Sequence, residues 1–417
     1  MWDGRLWELL PFFQTLKMKS QTTGWLNKAE AFRGALLEDV LPFWFPRCVD
    51  AEHGGYFSAL DRDGSIVDTD KSVWAQGRIA WMLLTLCESV EARSEWVDWA
   101  EKGLSFLDDH CYDEDGRLFF HVAADGRAIR KRRYAFSESF AAIAHAAHFK
   151  VTGNAASAEK ARLLFDTFMR WHFTPGLMPP KFTGNRPMIG LGPLMIGLVT
   201  AQELRKNLGE SLVLESSIDR CLNEILGLFV KEDLEVVMET VGPEGEIIDH
   251  FDGRLLNPGH AIEAAWFVME EGKWRRDQDL IATGVRMLDW MWKRGWDSEY
   301  GGLFYFRDLD GKPVQEYWHD MKFWWPHNEA MIATLMAHQA TGNAIWQARF
   351  DQVCEWSFSH FSDREQGEWY GYLHRDGSVS VPLKGNLWKS FFHLPRSLFL
   401  CWNLLESARD SSAGATV

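Results

Sequence analysis

The sequence predicts an all-α protein, an (α/α)6 barrel of twelve helices with short β-hairpins between helix pairs, and three observations lead there. First, one unit recurs. DAEHGGYFSALDRDGSIV begins at Asp50, CYDEDGRLFFHVAADGRAI at Cys111, WDSEYGGLFYFRDLDGKPV at Trp296 and FSDREQGEWYGYLHRDGSV at Phe361. Each is an acidic Gly turn, an aromatic strand, a DG turn and a short second strand, the signature of a hairpin. Second, the starts lie about 62 to 65 residues apart except for one gap of 185, about three periods. Two degenerate members fill that gap, the Pro/Gly-rich stretch 173–187 and VMETVGPEGEIID at 237–249, making six units. Third, between hairpins the apolar period changes from two to about 3.6, and each interval has room for two helices.

In chain order the periodicity places helices at 24–41, 71–89 with 94–110, 133–150 with 155–171, 190–207 with 211–230, 258–271 with 274–294, 324–341 with 344–360, and 388–408. Trp74, Arg78, Trp81, Met82, Thr85 and Leu86 recur at helical spacing in the second of these. Thr152-Gly153-Asn154 and Thr341-Gly342-Asn343 are matching turns between paired helices. The aromatic first and last helices can pair and complete the sixth unit. An open solenoid would instead need polar caps at its ends. The whole chain, 1–417, reads as one domain, with loose ends expected at 1–22 and 409–417.

A formal charge of −15 argues against nucleic acid or an anionic membrane as partner. No cleavable leader and no run of about 20 apolar residues is visible, so a cytoplasmic location is expected. Six scattered cysteines read as small core residues in a reducing compartment. The 22 Trp and 28 Phe exceed what a core needs and suit a concave, sugar-facing wall.

In this topology every helix that follows a hairpin starts at the same end of the barrel, so its first turns surround one mouth. Arg78 falls there in DKSVWAQGRIAW, His260 and Glu263 in NPGHAIEAAW, Trp325, His327 and Glu329 in DMKFWWPHNEAM, and Trp388, Lys389, His393 and Arg396 in KGNLWKSFFHLPR. His260 and Glu263 share a helical face, so the carboxylate can orient the imidazole or hold a substrate hydroxyl; a helix-bonded structural histidine is the plainer alternative. His393 lies between Phe391, Phe392 and Leu394, where desolvation tunes an imidazole for proton transfer, or where it simply fills the core. Arg78 on an apolar helix needs either a structural carboxylate such as Glu329 or a polar pocket. Trp325 and Trp388 are stacking walls or core. No HExxH, GxGxxG or GxxxxGK[ST] occurs, so neither a metal nor a nucleotide cofactor is implied.

LPFWFPRCVDAEHGGYFSALDRDG, DTDKSVWAQGRIAWM, LLNPGHAIEAAWF, WWPHNEAMIA, GEWYGYLHRDG and KGNLWKSFFHLPR together resemble the N-acylglucosamine 2-epimerase family, called renin-binding protein in animals, from about residue 38 to 402. The resemblance implies an (α/α)6 fold and interconversion of N-acetylglucosamine and N-acetylmannosamine. His260 and His393 then correspond to the acid/base pair, Arg78 to the contact with the reacting oxygens, and Glu263 and Glu329 to supports of the histidines or the sugar. It implies a monosaccharide partner, at most a second copy of the chain as another, and ATP as an allosteric effector at most.

Relatives acting on free hexoses or disaccharides carry a further His after the third hairpin, where this chain has Leu194 and Met195 in GLGPLMIGLV. That favours the acylated sugar. Trp388 points the other way, toward epimerases of free sugars, because the acyl branch has Phe near that position. A D-mannose/D-glucose 2-epimerase or aldose–ketose isomerase is therefore the alternative. A glycoside hydrolase would need two carboxylates roughly 5 to 10 Å apart across the cleft. A noncatalytic sugar- or protein-binding role would keep the aromatic cleft without turnover.

Overall fold

The computed structural model describes residues 21–414. Twelve long helices are described: α1 (Gln21–Gly34, continued by a π turn Ala35–Val40 and by Leu41–Trp44), α2 (Val73–Ser89), α3 (Ser94–His110), α4 (Phe136–Thr152), α5 (Ala155–Phe173), α6 (Leu191–Leu208), α7 (Leu212–Glu224), α8 (Pro258–Arg275), α9 (Gln278–Gly295), α10 (Trp324–Thr341), α11 (Ala344–His360) and α12 (His393–Gly414). The even-numbered helices form an inner ring, the odd-numbered ones an outer ring, and α12 packs on α1 as the predicted closure requires. Of the ends expected to be loose, 21–22 and 409–414 are helical; the remainder lies outside the described residues. Among the described residues no helix is long and apolar enough to cross a membrane.

Covering on both sides explains the composition of the inner ring. Every residue of α2 from Val73 to Cys87 is buried, whereas outer α3 buries only Trp96, Ala100, Gly103, Leu104, Phe106 and Leu107, a single stripe at helical spacing. The paired helices turn as the matching tripeptides predict. Gly153 and Gly342 end their helices at φ 73° and 66°, and Asn154 and Asn343 each accept the N–H two residues on at 3.0 Å. Glycine there avoids the Cβ clash of the left-handed region, and Asn caps the next helix.

The hairpins are less uniform than the repeat predicts. Two-stranded hairpins form at Ala59–Leu60 with Ile66–Asp68, His121–Val122 with Ala128–Arg130, and Tyr372–Leu373 with Val379–Val381. Residues 174–188 form none, because Pro175, Pro179, Pro180 and Pro187 remove backbone donors. Pro313 does the same in the fifth unit, and the stretch at 237–249 turns back without a second strand.

Instead, the segment before most inner helices pairs with the hairpin region of the next unit. Lys71–Ser72 meets His121–Val122, Ile189–Gly190 meets Thr240–Val241, Leu255–Leu256 meets Arg307–Asp308, and Lys322–Phe323 meets Tyr372–Leu373. The ring closes where Lys384 N–H donates to Leu60 O at 2.9 Å. At the junction of the second and third units, between 131–135 and 174–188, no such backbone pairing is formed among the described residues.

A second device repeats with this lacing. The acidic turn binds the lysine ahead of the inner helix: Asp50–Lys71 at 2.7 Å, Asp113–Lys131 at 2.6 Å, Asp297–Lys322 at 3.0 Å and Asp363–Lys384 at 3.2 Å. A first-turn side chain then accepts a hairpin N–H: Gln76 from Tyr56 at 2.7 Å, Glu138 from Leu118 at 2.9 Å and His327 from Leu303 at 2.8 Å. His327 is therefore structural. Its Nδ1–H bonds Phe323 O at 2.7 Å, and burial pushes its pKa down to about 3. We expect His327→Gln, which restores the Gln76 arrangement, to unfold within about 1 kcal/mol of the parent, and His327→Ala to lose about 1–3 kcal/mol by orphaning the buried N–H. Urea denaturation measures both.

Candidate active site

The cavity runs along the inside of the inner ring, lined by the helix starts at the hairpin end and, at the other end, by Arg205, Lys206, Glu270 and Lys273, with a volume of about 1730 Å³. Of the residues singled out from sequence, Arg78, His260, Glu263, Trp325, Trp388 and His393 line it; Glu329 is fully buried behind His393.

The start of α8 presents His260. Asn257 caps the helix by accepting the His260 N–H at 3.1 Å, and Pro258 opens the first turn. At Gly259 a Cβ would meet the Trp325 ring at 2.6 Å, so glycine lets that indole approach the His260 ring to 5.1 Å between centroids. His260 Nδ1 lies 3.0 Å from both oxygens of Glu239. Nδ1–H donates to the carboxylate, leaving Nε2 free for the cavity. Burial pulls the His260 pKa down, but the charge and hydrogen bond of Glu239 outweigh it and leave the imidazole above its ordinary value.

His393 is the first residue of α12, 8% exposed, with Nδ1 at 2.8 Å from Glu329 Oε1. Arg396, one turn on, bridges Glu263 Oε1 at 2.8 Å and Glu329 Oε1 at 2.6 Å. Trp266 Nε1–H donates to Glu329 Oε2 at 2.9 Å, so both oxygens of that carboxylate are engaged. Burial, reinforced by the charges of Arg396 and Arg78, holds the His393 pKa well below the imidazole range. Glu263, Glu329 and His393 bring potential metal-ligand atoms within 4.8 Å of one another. The guanidinium of Arg396 already sits on both carboxylates and supplies the cation there.

Arg78 lines the cavity and does not pair with Glu329. Its guanidinium packs over Phe140 at 4.0 Å, Phe392 at 4.7 Å and Trp74 at 5.2 Å, with Nε buried and unbonded. Burial lowers its pKa to about 9, with the Glu263 and Glu329 charges opposing, so it stays charged at neutral pH. A buried, cavity-facing cation without a bonded carboxylate is suited to an oxygen that becomes negative during reaction.

Two expectations change. Glu263 serves Arg396, and the carboxylate that orients His260 is Glu239. Trp388 precedes α12 instead of lying on it, because the Asn386 side chain captures the N–H groups of Trp388 and Lys389 at 2.8 and 2.9 Å and holds a turn. The indole stands at the mouth, 40% exposed, against Phe120 and Trp74 with centroids at 5.0 and 5.6 Å. Sequence reading also passed over Tyr305, Tyr372 and Asn386, which line the cavity. Glu239 lies in the degenerate fourth unit, where the aromatic repeat is lost; its one signal is a carboxylate inside the apolar run VVMETV.

An inner ring of helices holding two histidines of opposite electrostatic setting around one cavity defines an (α/α)6 protein equipped for acid–base chemistry. Residues 55–396 match the family model N-acylglucosamine 2-epimerase (GlcNAc 2-epimerase). The N-acylglucosamine 2-epimerase of Bos taurus is 36% identical over 389 residues, covering 91% of this chain and 92% of that one. The enzyme of that name from Homo sapiens is 34% identical over 406 residues, 95% and 94% of the two chains. The cellobiose 2-epimerase of Spirochaeta thermophila superposes with a TM-score of 0.78 at 18% identity, covering 93% and 98%. The chain belongs to the N-acylglucosamine 2-epimerase family.

Proposed function

We propose that the protein interconverts N-acetyl-D-glucosamine and N-acetyl-D-mannosamine by moving the C2 proton between His260 and His393. The observation that carries this reading is that two histidines face one cavity, each held at Nδ1 by a carboxylate, Glu239 for His260 and Glu329 for His393. The charge of Glu239 raises one imidazole while burial beside two arginines lowers the other, which suits His260 to give a proton and His393 to take it.

The C2 proton is acidic only in the open-chain aldehyde. Neutral His393 takes it, the charge developing on O1 meets Arg78, and protonated His260 returns a proton to the opposite face. The reverse direction uses the same groups with their protonation exchanged. Trp325, beside both rings, is the stacking wall for the planar intermediate, and Trp388 walls the mouth. No step needs a cofactor; ATP enters the scheme as an effector only.

Proton NMR in D2O tests the reading, following the C2 signal of N-acetylmannosamine beside mannose, with and without ATP. Exchange with formation of N-acetylglucosamine supports it. Exchange on mannose alone moves the activity to free hexoses, the reading that Trp388 favours. No exchange on either sugar overturns the two-histidine scheme.

Glu239→Gln keeps a hydrogen-bond acceptor but removes the charge that raises His260. The His260 pKa falls, so the population of protonated acid declines at lower pH, and the alkaline limb of the pH–rate profile moves acidward. We expect kcat at neutral pH to fall by about 10-fold or more, short of the 10²–10⁴-fold that a positioned acid itself contributes, with KM little changed. A uniform loss with an unmoved profile would reduce Glu239 to a packing role.

A further inference from the structure

The junction left unlaced between the second and third units is also where cations collect. Arg132, Arg133 and Lys181 line the cavity there, the first two on the segment before α4 and the third on the proline-rich loop 174–188. In a chain of formal charge −15 several cations nearby are neutralised, although Arg130, over the same Phe120 ring at 4.9 Å, is not among the described residues' ion pairs. Lys131 holds Asp113 and Asp115, Arg117 holds Glu138, and Arg220 holds Glu224. Glu239 is engaged by His260. Arg132, Arg133 and Lys181 have no carboxylate partner among the described residues. Arg132 is clamped by rings, over Phe120 at 4.5 Å and Trp388 at 4.8 Å, with its Nε buried and unbonded. Arg133 donates to a backbone oxygen, Pro180 O, at 3.4 Å, and Lys181 lies over the Phe182 ring. The charge of Lys181 acts on His260, so this rim is within electrostatic reach of the proposed chemistry.

Size and chemistry narrow what such a rim can hold. The cavity runs the length of the inner ring, so a monosaccharide held at the histidines leaves space both toward this rim and toward Glu270 and Lys273 at the other end. Epimerisation at C2 requires a free C1 aldehyde, so nothing can be attached at C1. An added group must sit on the sugar's far hydroxyls and point away from the histidines.

Resting on the function proposed above, we infer that Arg132, Arg133 and Lys181 form a subsite for an anionic substituent, a phosphate monoester on the primary hydroxyl of the N-acylhexosamine. The rigid guanidinium of Arg132 offers a planar donor edge. Arg133 and Lys181, one from each side of the gap, close on the remaining phosphate oxygens.

The test is titration calorimetry of the full chain with N-acetylmannosamine and with its 6-phosphate, on the parent and on the Arg133→Ala/Lys181→Ala variant, alongside C2 exchange on both sugars. We expect the phosphorylated sugar to bind the parent about tenfold or more tightly than the neutral one, and the variant to lose most of that gain while holding the neutral sugar within about twofold. Inorganic phosphate should weaken binding of the phosphorylated sugar alone. Equal affinity for the two sugars in the parent, or an equal loss for both in the variant, overturns the subsite. Calorimetry decides this even if neither sugar exchanges its C2 proton, an outcome that would strike the epimerase reading instead.

Discussion

His393→Asn is expected to lower kcat for C2 epimerisation by about 10²–10⁴-fold, the range that a positioned acid or base contributes, with the fold intact. His393 is buried and bonded to Glu329, and asparagine can keep a hydrogen bond to that carboxylate while lacking a proton-accepting nitrogen. His260→Gln is expected to show a loss of similar size. The sharper expectation concerns what survives. A planar intermediate separates two faces, and each histidine serves one. With His260 removed, the epimer whose C2 proton faces His393 should still wash deuterium into C2 without forming product. With His393 removed, the other epimer should do so. Exchange and product formation, followed together by NMR in D2O, read this directly. Either variant retaining near-parental turnover, or both abolishing exchange on the same epimer only, would refute two opposed bases.

The second large effect is expected at Arg396. Its guanidinium lies between Glu263 and Glu329 and is buried with them. Replacement by leucine leaves two carboxylates facing each other without their cation, and breaking a buried pair by removing one partner costs about 3–5 kcal/mol. The consequence for activity has a definite sign. Burial keeps the His393 pKa low and the Arg396 charge assists, so removing that charge raises it. The base must be neutral to act, so the acid limb of the pH–rate profile should move to higher pH. Both carboxylates meet the single Nη2 of Arg396, so Arg396→Lys, which retains the charge on a shorter-reaching ammonium, should be less stable than the parent while keeping most of the profile. Thermal unfolding and pH–rate measurements on both variants separate the charge from the geometry. An Arg396→Leu protein as stable as the parent would show that the network contributes nothing to the fold.

Much of this architecture is legible in the amino-acid sequence. The Thr-Gly-Asn turns, the change of period from two to 3.6 and the 62- to 65-residue repeat are local signals that packing did not overturn. The hairpins were legible only where no proline intervened, as at Ala59–Asp68, and not at 174–188. Where sequence reading misplaced an element, a side chain had captured the backbone: Asn386 holds the turn that keeps Trp388 off α12. His327 looked like one more site histidine until the three-dimensional repeat set it beside Gln76 and Glu138.

By itself, the sequence determined a ring of paired helices with His260, His393 and Arg78 at one mouth, because helical periodicity and capping act within a few residues. Which carboxylate serves which cation was decided only by the tertiary structure. Glu329 reaches His393 across 64 positions and Glu263 reaches Arg396 across 133. Glu239, from a hairpin that has lost its pattern, takes the place beside His260 that helical spacing had suggested for Glu263. Charges pair by distance across a barrel interior, and that distance exists only once the ring has closed.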